Sequence, residues 1–163
     1  MKILYLHGLD SKLSDKKRAA LEMYGDVYAP DLNYYDDADA IETILNYYPG
    51  VVMDVVIGSS MGGFAGYYVA NALDRPALLF NPALVERSVH QNIPEKKNSY
   101  NSLKQIVLGQ QDEVVYPADT LKFLSENFNS VTNFYLHLVP QNGHNIPVPL
   151  FEEEVSSFFK KLR

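Results

Sequence analysis

Short apolar runs alternate with amphipathic stretches along the whole sequence, and this alternation sets the tightest limit on the fold. The runs are rich in β-branched residues or leucine and are closed by Gly, Pro, Asp or Asn, which is typical of strands. In the stretches between them, apolar residues recur at i, i+3, i+4 and i+7, the spacing of one helix face. Six strands are therefore predicted, at residues 3–6, 27–29, 51–57, 77–80, 106–108 and 134–139.

Strands that alternate with helices predict a parallel sheet covered on both faces. We expect an α/β fold, a three-layer α/β/α sandwich with a doubly wound, mostly parallel sheet of about six strands in the order 2-1-3-4-5-6. The 163 residues are enough for a single domain, 1–163, without a separate cap domain. The polar stretch 83–102 is longer than a usual connection. It is predicted to form either a short lid or a surface helix with a loop.

Composition excludes several classes of function. The sequence has no cysteine, which excludes disulfides, thiolate metal sites and cysteine nucleophiles. A formal net charge of -6 argues against a nucleic-acid partner. It also disfavours anionic substrates unless Lys96, Lys97 or Lys104 lies near the site. No apolar run reaches the ~18 residues of a membrane span and no secretory signal is evident, so we expect a cytoplasmic protein. The oligomeric state stays open.

A serine framed by glycines directly follows the third predicted strand. Residues 58–63 read Gly-Ser-Ser-Met-Gly-Gly, which places Ser60 at the centre of G-x-S-x-G where a helix pattern begins. This context is typical of a nucleophile elbow, a strained turn that lifts the hydroxyl above the sheet edge. A dinucleotide fingerprint would need Gly at position 60, and a phosphate loop would need Lys after Gly63. The alternative is a tight turn without chemistry.

A serine nucleophile needs a base and a carboxylate that orients it. His144 follows the last predicted strand, and Asp112 follows the fifth, with Glu113 as the alternative. Open parallel sheets carry functional residues at these strand ends. The order Ser60, Asp112, His144 is the one expected for an α/β-hydrolase triad. Other histidines and acidic residues fit this arrangement less well: His7, His90, His137, Asp31, Asp36, Asp37 and Asp54.

Two backbone N–H groups are predicted to form an oxyanion hole, which stabilises the negative oxygen of a tetrahedral intermediate. One belongs to Met61, next after the serine, and the other to Leu9, in the loop after the first strand. The histidines show no metal-binding spacing, so neither a metal nor a cofactor is expected.

Together these segments resemble the small, cap-poor α/β-hydrolases of the YqiA-like esterase family. The resemblance rests on residues 4–11, 58–64, 81–83 (Asn-Pro-Ala) and 112–114 (Asp-Glu-Val). It implies that a small carboxylic ester or acyl thioester is hydrolysed through an acyl-serine, with Ser60, Asp112 and His144 in the matching positions. The loop before the histidine departs from the family's usual Gly-Gly-x-His. Two alternatives stay open: an acyltransferase or peptidase using the same triad, and a catalytically silent binding module.

Overall fold

The structure is a computed structural model that describes residues 1–94, 102–127 and 133–163. Its centre is a six-stranded sheet in the order β2-β1-β3-β4-β5-β6, in which all neighbouring strands are parallel. The strands are β1 (Lys2–Leu6), β2 (Asp26–Tyr28), β3 (Val55–Ser59), β4 (Ala77–Phe80), β5 (Lys104–Gly109) and β6 (Phe134–Val139). The helices are α1 (Asp15–Glu22), α2 (Ala40–Asn46), α3 (Met61–Leu73), α4 (Pro117–Asn127) and α5 (Val148–Lys161). The predicted fold class and strand order are confirmed.

The sheet separates two apolar cores, one on each face. Successive side chains of a strand point to opposite faces, so Val55 joins the core under α1 and α5 while Val56 joins the core under α2, α3 and α4. Both residues are fully buried. A parallel strand that is covered on both faces does not need polar side chains at every second position. This explains why the third apolar run of the sequence is nearly continuous.

Apart from shifts of one or two residues at strand ends, two local predictions differ from the structure. The third strand begins at Val55 rather than at residue 51. Asp54 therefore precedes the strand, and its Oδ2 accepts a hydrogen bond from the Lys2 N–H at 2.7 Å. The strand–helix alternation is also interrupted after β4, because the described residues 81–94 and 102–103 contain no helix. The chain turns sharply there at Asn81, whose φ is 41°.

Residues 83–102, predicted to form either a short lid or a surface helix with a loop, are described up to residue 94 and at residue 102. Residues 95–101, which include Lys96 and Lys97, lie outside the described part of the chain. Among the helices of the described part, none is both long and apolar enough to cross a bilayer.

Candidate active site

Ser60 occupies a strained turn between β3 and α3. Its φ of 56° and ψ of -116° lie in a region that side-chain-bearing residues rarely adopt. The two flanking glycines make this turn possible. A Cβ on Gly62 would lie 2.1 Å from the Leu6 carbonyl oxygen, and one on Gly58 would lie 2.2 Å from that of Gly62. The glycine spacing of the motif is therefore required by the close packing of α3 against β1 and β3.

The structure brings Ser60, His144 and Asp112 together. His144 Nε2 lies 3.0 Å from Ser60 Oγ, and His144 Nδ1 lies 2.8 Å from Asp112 Oδ2. The other carboxylate oxygen, Oδ1, accepts the backbone N–H groups of Val114 at 2.8 Å and Val115 at 2.9 Å. These two donors fix the buried carboxylate so that Oδ2 faces the imidazole.

This arrangement decides which histidine nitrogen carries the proton. An ionised carboxylate can only accept hydrogen bonds, so Nδ1–H of His144 donates to Asp112 and Nε2 is left to accept the Ser60 hydroxyl. The Asp112 side chain is fully buried, whereas 24% of the His144 side chain is exposed. Glu113, the alternative carboxylate of the sequence analysis, is exposed to solvent.

Asn81 connects three parts of this site. Its place in an Asn-Pro-Ala segment is the only sequence feature that singles it out. Its side-chain amide donates to the carbonyl oxygens of Gly143 at 3.1 Å and His144 at 2.9 Å. Its side-chain oxygen accepts the Gly109 N–H at 2.8 Å. The residue is buried and has a positive φ, which asparagine tolerates better than most residues. Asn81 therefore ties the histidine loop to the ends of β4 and β5.

Both predicted oxyanion-hole residues border the same cavity as Ser60. Met61 is the first residue of α3, where backbone N–H groups have no partner within the helix and the dipole is positive. Leu9 follows Gly8, which passes so close to Ser60 that an added Cβ would lie 3.2 Å from the serine Cβ. Leu9 and Met61 both line the cavity.

The other histidines have contacts of their own. His7 Nε2 accepts the Leu32 N–H at 2.9 Å, which leaves Nδ1–H to donate to the Gly8 carbonyl at 2.7 Å. It therefore holds the loop after β1 in place. His90 is exposed, and His137 pairs with a buried carboxylate of α5. None of these three histidines forms a hydrogen bond with Ser60 in the described residues; the serine hydroxyl pairs with His144.

The acidic residues after β2 also have local partners. Asp31 Oδ2 lies 2.9 Å from Lys12 Nζ, and this ammonium holds the pKa of Asp31 below its ordinary value. Asp36 accepts a hydrogen bond from the side chain of Asn33, and Asp37 accepts one from the backbone of Asp39. Within residues 1–94, 102–127 and 133–163, no group of three or more His, Asp or Glu side chains could hold a metal ion.

The cavity above Ser60 has a volume of about 620 Å³. Its apolar lining includes Tyr5 and Ile146, and burial raises the pKa of Tyr5 to about 12. Charged residues also line it: Lys12, Lys17, Glu86 and Arg87.

The three cations Lys12, Lys17 and Arg87 are not predicted from the sequence to lie near the site, because they come from the loop after β1, from α1 and from the segment after β4. Lys104, one of the lysines considered from the sequence, is buried at the end of β5 that lies away from the site. Its ammonium donates to the carbonyl oxygens of Arg75 and Ser102.

Comparison with known proteins gives one family and many similar folds. A sequence model described as an uncharacterised protein family, UPF0227, matches residues 2–112. The matched part includes Ser60 and Asp112 and ends before His144. No curated protein matches the sequence.

Among solved structures, SOBER1 from Arabidopsis thaliana is similar with a TM-score of 0.73 and 14% identity, covering 100% of this chain and 99% of that one. A protein from Xanthomonas campestris pv. campestris, assigned as a hydrolase of the α/β superfamily, gives a TM-score of 0.69 at 18% identity and 98% coverage of both chains. Est1E from Butyrivibrio proteoclasticus gives 0.69 at 19% identity, covering 98% of this chain and 87% of that one. These similarities show the α/β-hydrolase fold.

Proposed function

We propose that this chain, which belongs to the uncharacterised protein family UPF0227 and has the α/β-hydrolase fold, is a serine hydrolase of carboxylic esters or acyl thioesters. The observation that carries the proposal is the unbroken series of hydrogen bonds from Ser60 Oγ through His144 to Asp112, at 3.0 and 2.8 Å. A serine hydroxyl is a weak nucleophile at its ordinary pKa, and such a pairing is what activates it.

The reaction begins with nucleophilic attack. Ser60 Oγ bonds to the carbonyl carbon of the substrate while His144 Nε2 takes the hydroxyl proton. The carbonyl oxygen becomes an oxyanion, which the N–H groups of Leu9 and Met61 stabilise. The tetrahedral intermediate then collapses. The bond to the alcohol or thiol breaks, and the leaving group receives the proton from His144.

Deacylation repeats these steps with water. His144 removes a proton from the water, the hydroxide attacks the acyl-serine, and the acid product leaves as the proton returns to Ser60. The partial exposure of the His144 side chain supports hydrolysis over transfer to another acceptor, because water can reach the base directly. Asp112 holds the imidazole in the productive tautomer and stabilises its charged form. A peptidase would use the same steps with an amine as the leaving group.

Labelling with a fluorophosphonate probe tests the proposal. The probe reacts with activated serines, so we expect the wild type to be labelled at neutral pH and Ser60→Ala to remain unlabelled. Ser59→Ala is the matched control, since Ser59 is the adjacent serine and lines the same cavity. It should be labelled like the wild type. An unlabelled wild type, or labelling that survives Ser60→Ala, would contradict the proposal.

Turnover measurements distinguish ester from thioester hydrolysis and quantify the contribution of His144 as the base. Hydrolysis rates for p-nitrophenyl esters and acyl thioesters of increasing chain length should identify the preferred bond and the acyl length that the cavity admits. His144→Ala should lower ester turnover by about 10³–10⁴-fold or more, because neither proton transfer is then assisted. Circular dichroism should show an intact fold.

A further inference from the structure

Cationic side chains outnumber carboxylates in the lining of the cavity that contains Ser60, although the protein is acidic. The chain has a formal net charge of -6, yet three cationic side chains line the cavity: Lys12, Lys17 and Arg87. Among its described lining residues, Glu86 is the only carboxylate. A cleft in which one sign of charge predominates concentrates ligands of the opposite sign.

Two of the three cations are held by partners within the protein. Lys12 Nζ lies 2.9 Å from Asp31 Oδ2. Arg87 Nη1 donates to the carbonyl oxygens of Ala83 at 3.4 Å and Leu84 at 3.0 Å. The Arg87 guanidinium also stacks over the Phe64 ring, 4.1 Å from its centroid. These contacts hold Lys12 and the Nη1 end of Arg87, whereas the buried Arg87 Nε has no hydrogen-bond partner among the described residues.

Lys17 differs from them in that its ammonium donates no hydrogen bond to any described residue. Its ammonium lies 5.3 Å from the centroid of the Phe151 ring, and the ion pairs of the described residues give it no carboxylate partner. The residue is half-buried, and burial lowers the pKa of its ammonium. A lysine usually buries its stem and keeps its charge in water. Here the charge is partly withdrawn from water beside the cavity that contains Ser60.

We propose that Lys17 forms an anion subsite of this cavity and that the natural substrate is an ester or thioester carrying a separate carboxylate or phosphate group. The inference rests on the proposed function. An anion at this point would supply the partner that Lys17 lacks, and charge-assisted hydrogen bonds are about twice as strong as neutral ones. The Phe151 ring beside the Lys17 ammonium strengthens the pairing further, because an apolar neighbour lowers the local dielectric.

Matched ester pairs test the subsite and show where the anion belongs. For a charge on the acyl side, mono-p-nitrophenyl glutarate is compared with p-nitrophenyl butyrate. For a charge on the leaving group, 4-butyryloxybenzoate is compared with phenyl butyrate. We expect one of the two anionic esters to exceed its neutral counterpart in kcat/KM by tenfold or more. This preference should weaken when NaCl is raised to 0.5 M, because salt screens partly exposed charges.

Variants on α1 assign the preference to one side chain. Lys17→Met and Lys17→Gln should each lower the ratio of anionic to neutral kcat/KM at least tenfold. Lys16→Met is the matched control, because Lys16 is an exposed lysine on the same helix that does not line the cavity. It should keep the wild-type ratio. Circular dichroism confirms that each variant is folded. Two different replacements of Lys17 are used so that the test stands if one of them fails to fold.

Three results would overturn the subsite: no anionic preference in the wild type, an unchanged ratio in both Lys17 variants, or an equal loss with Lys16→Met. Cleavage of neutral esters without an anionic preference removes the subsite and leaves the proposed function standing. If no ester is cleaved and Ser60 is not labelled, the proposed function fails. In that case free glutarate tests the subsite on its own. If the subsite exists, glutarate raises the Tm of the wild type and does not raise that of Lys17→Met.

Discussion

Replacing the buried Asp112 carboxylate by an amide should show what the carboxylate contributes to His144, as distinct from what it contributes to folding. In Asp112→Asn the amide oxygen keeps the two backbone donors, the N–H groups of Val114 and Val115. The amide nitrogen must then face His144 Nδ1. Because that nitrogen donates, the imidazole shifts its proton to Nε2, and the Ser60 hydroxyl loses its acceptor.

The size of the loss follows from these contacts. For His144 to carry its proton on Nδ1 again, the introduced amide must flip so that its oxygen faces the imidazole. The flip breaks the two hydrogen bonds from Val114 and Val115 and places the amide N–H groups against those backbone N–H groups, at a cost of about 2–4 kcal/mol. The charge that stabilised the imidazolium is also gone. At an effective dielectric of about 20, a unit charge about 4 Å away contributes about 4 kcal/mol. Together the two effects amount to about 6–8 kcal/mol, and since every ~1.4 kcal/mol is a factor of ten in rate, we expect kcat/KM to fall by about 10⁴–10⁶-fold.

The assay is the turnover of p-nitrophenyl esters, with urea denaturation as the measure of stability. Glu113→Gln is the matched control, because it makes the same chemical change at the next residue, which is exposed. Its kcat/KM should stay within about twofold of the wild type, as expected for a surface substitution away from the site. A folded Asp112→Asn enzyme that retains more than about a tenth of the wild-type kcat/KM would refute the reasoning. So would an equal loss in Glu113→Gln.

Three further predictions concern stability and positioning. Burial lowers the pKa of Lys104 to about 8, so its charge opposes folding at pH 7, and this penalty disappears as the pH approaches 10.5, the value for the unfolded chain. The stability difference between Lys104→Met and the wild type should therefore shift against the variant by up to about 3 kcal/mol between pH 7 and 10 in denaturation experiments. Asn81→Asp should cost about 2–4 kcal/mol and lower kcat, because its carboxylate would face two carbonyl oxygens in place of the amide donor. Urea denaturation and ester turnover check this, and an active, fully stable variant would contradict it. Gly62→Ala should destabilise by more than about 3 kcal/mol through its clash with β1, whereas Gly50→Ala, with nothing within 4 Å of its added Cβ, should cost about 1 kcal/mol for its positive φ. Equal values for the two in thermal or urea unfolding would show that the clash is relieved elsewhere.

The sheet could be predicted from the sequence because each of its strands is marked by a short apolar run within the strand itself. Runs such as Ala77–Phe80, buried throughout, are apolar enough to be recognised without any partner. The start of β3 was misplaced because Val51 and Val52 have strand-like side chains but lie outside the sheet. Apolar character alone does not reveal where hydrogen bonding to a neighbouring strand begins.

The candidate triad could be predicted for a different reason, since its members follow strands whose ends meet at one edge of the sheet. The role of Asn81 depends on contacts with residues 62 and 63 positions away, and no local pattern announces such contacts. Lys17 was missed for a similar reason. On α1 it reads as one of several surface lysines, and only the packing of α5, which places Phe151 beneath it, shows that it lies beside the cavity.

The hydrogen bonds of the candidate site connect distant parts of the chain, and this has a consequence for the order of folding. Ser60 meets a histidine 84 residues away, and that histidine meets a carboxylate 32 residues away. Contacts of such sequence separation form late, after local helices that need only about a microsecond. During refolding, the helical circular dichroism signal should therefore return before Ser60 becomes reactive towards the fluorophosphonate probe. Recovery of serine labelling would mark the moment at which β6 and the loop after it dock onto the rest of the sheet.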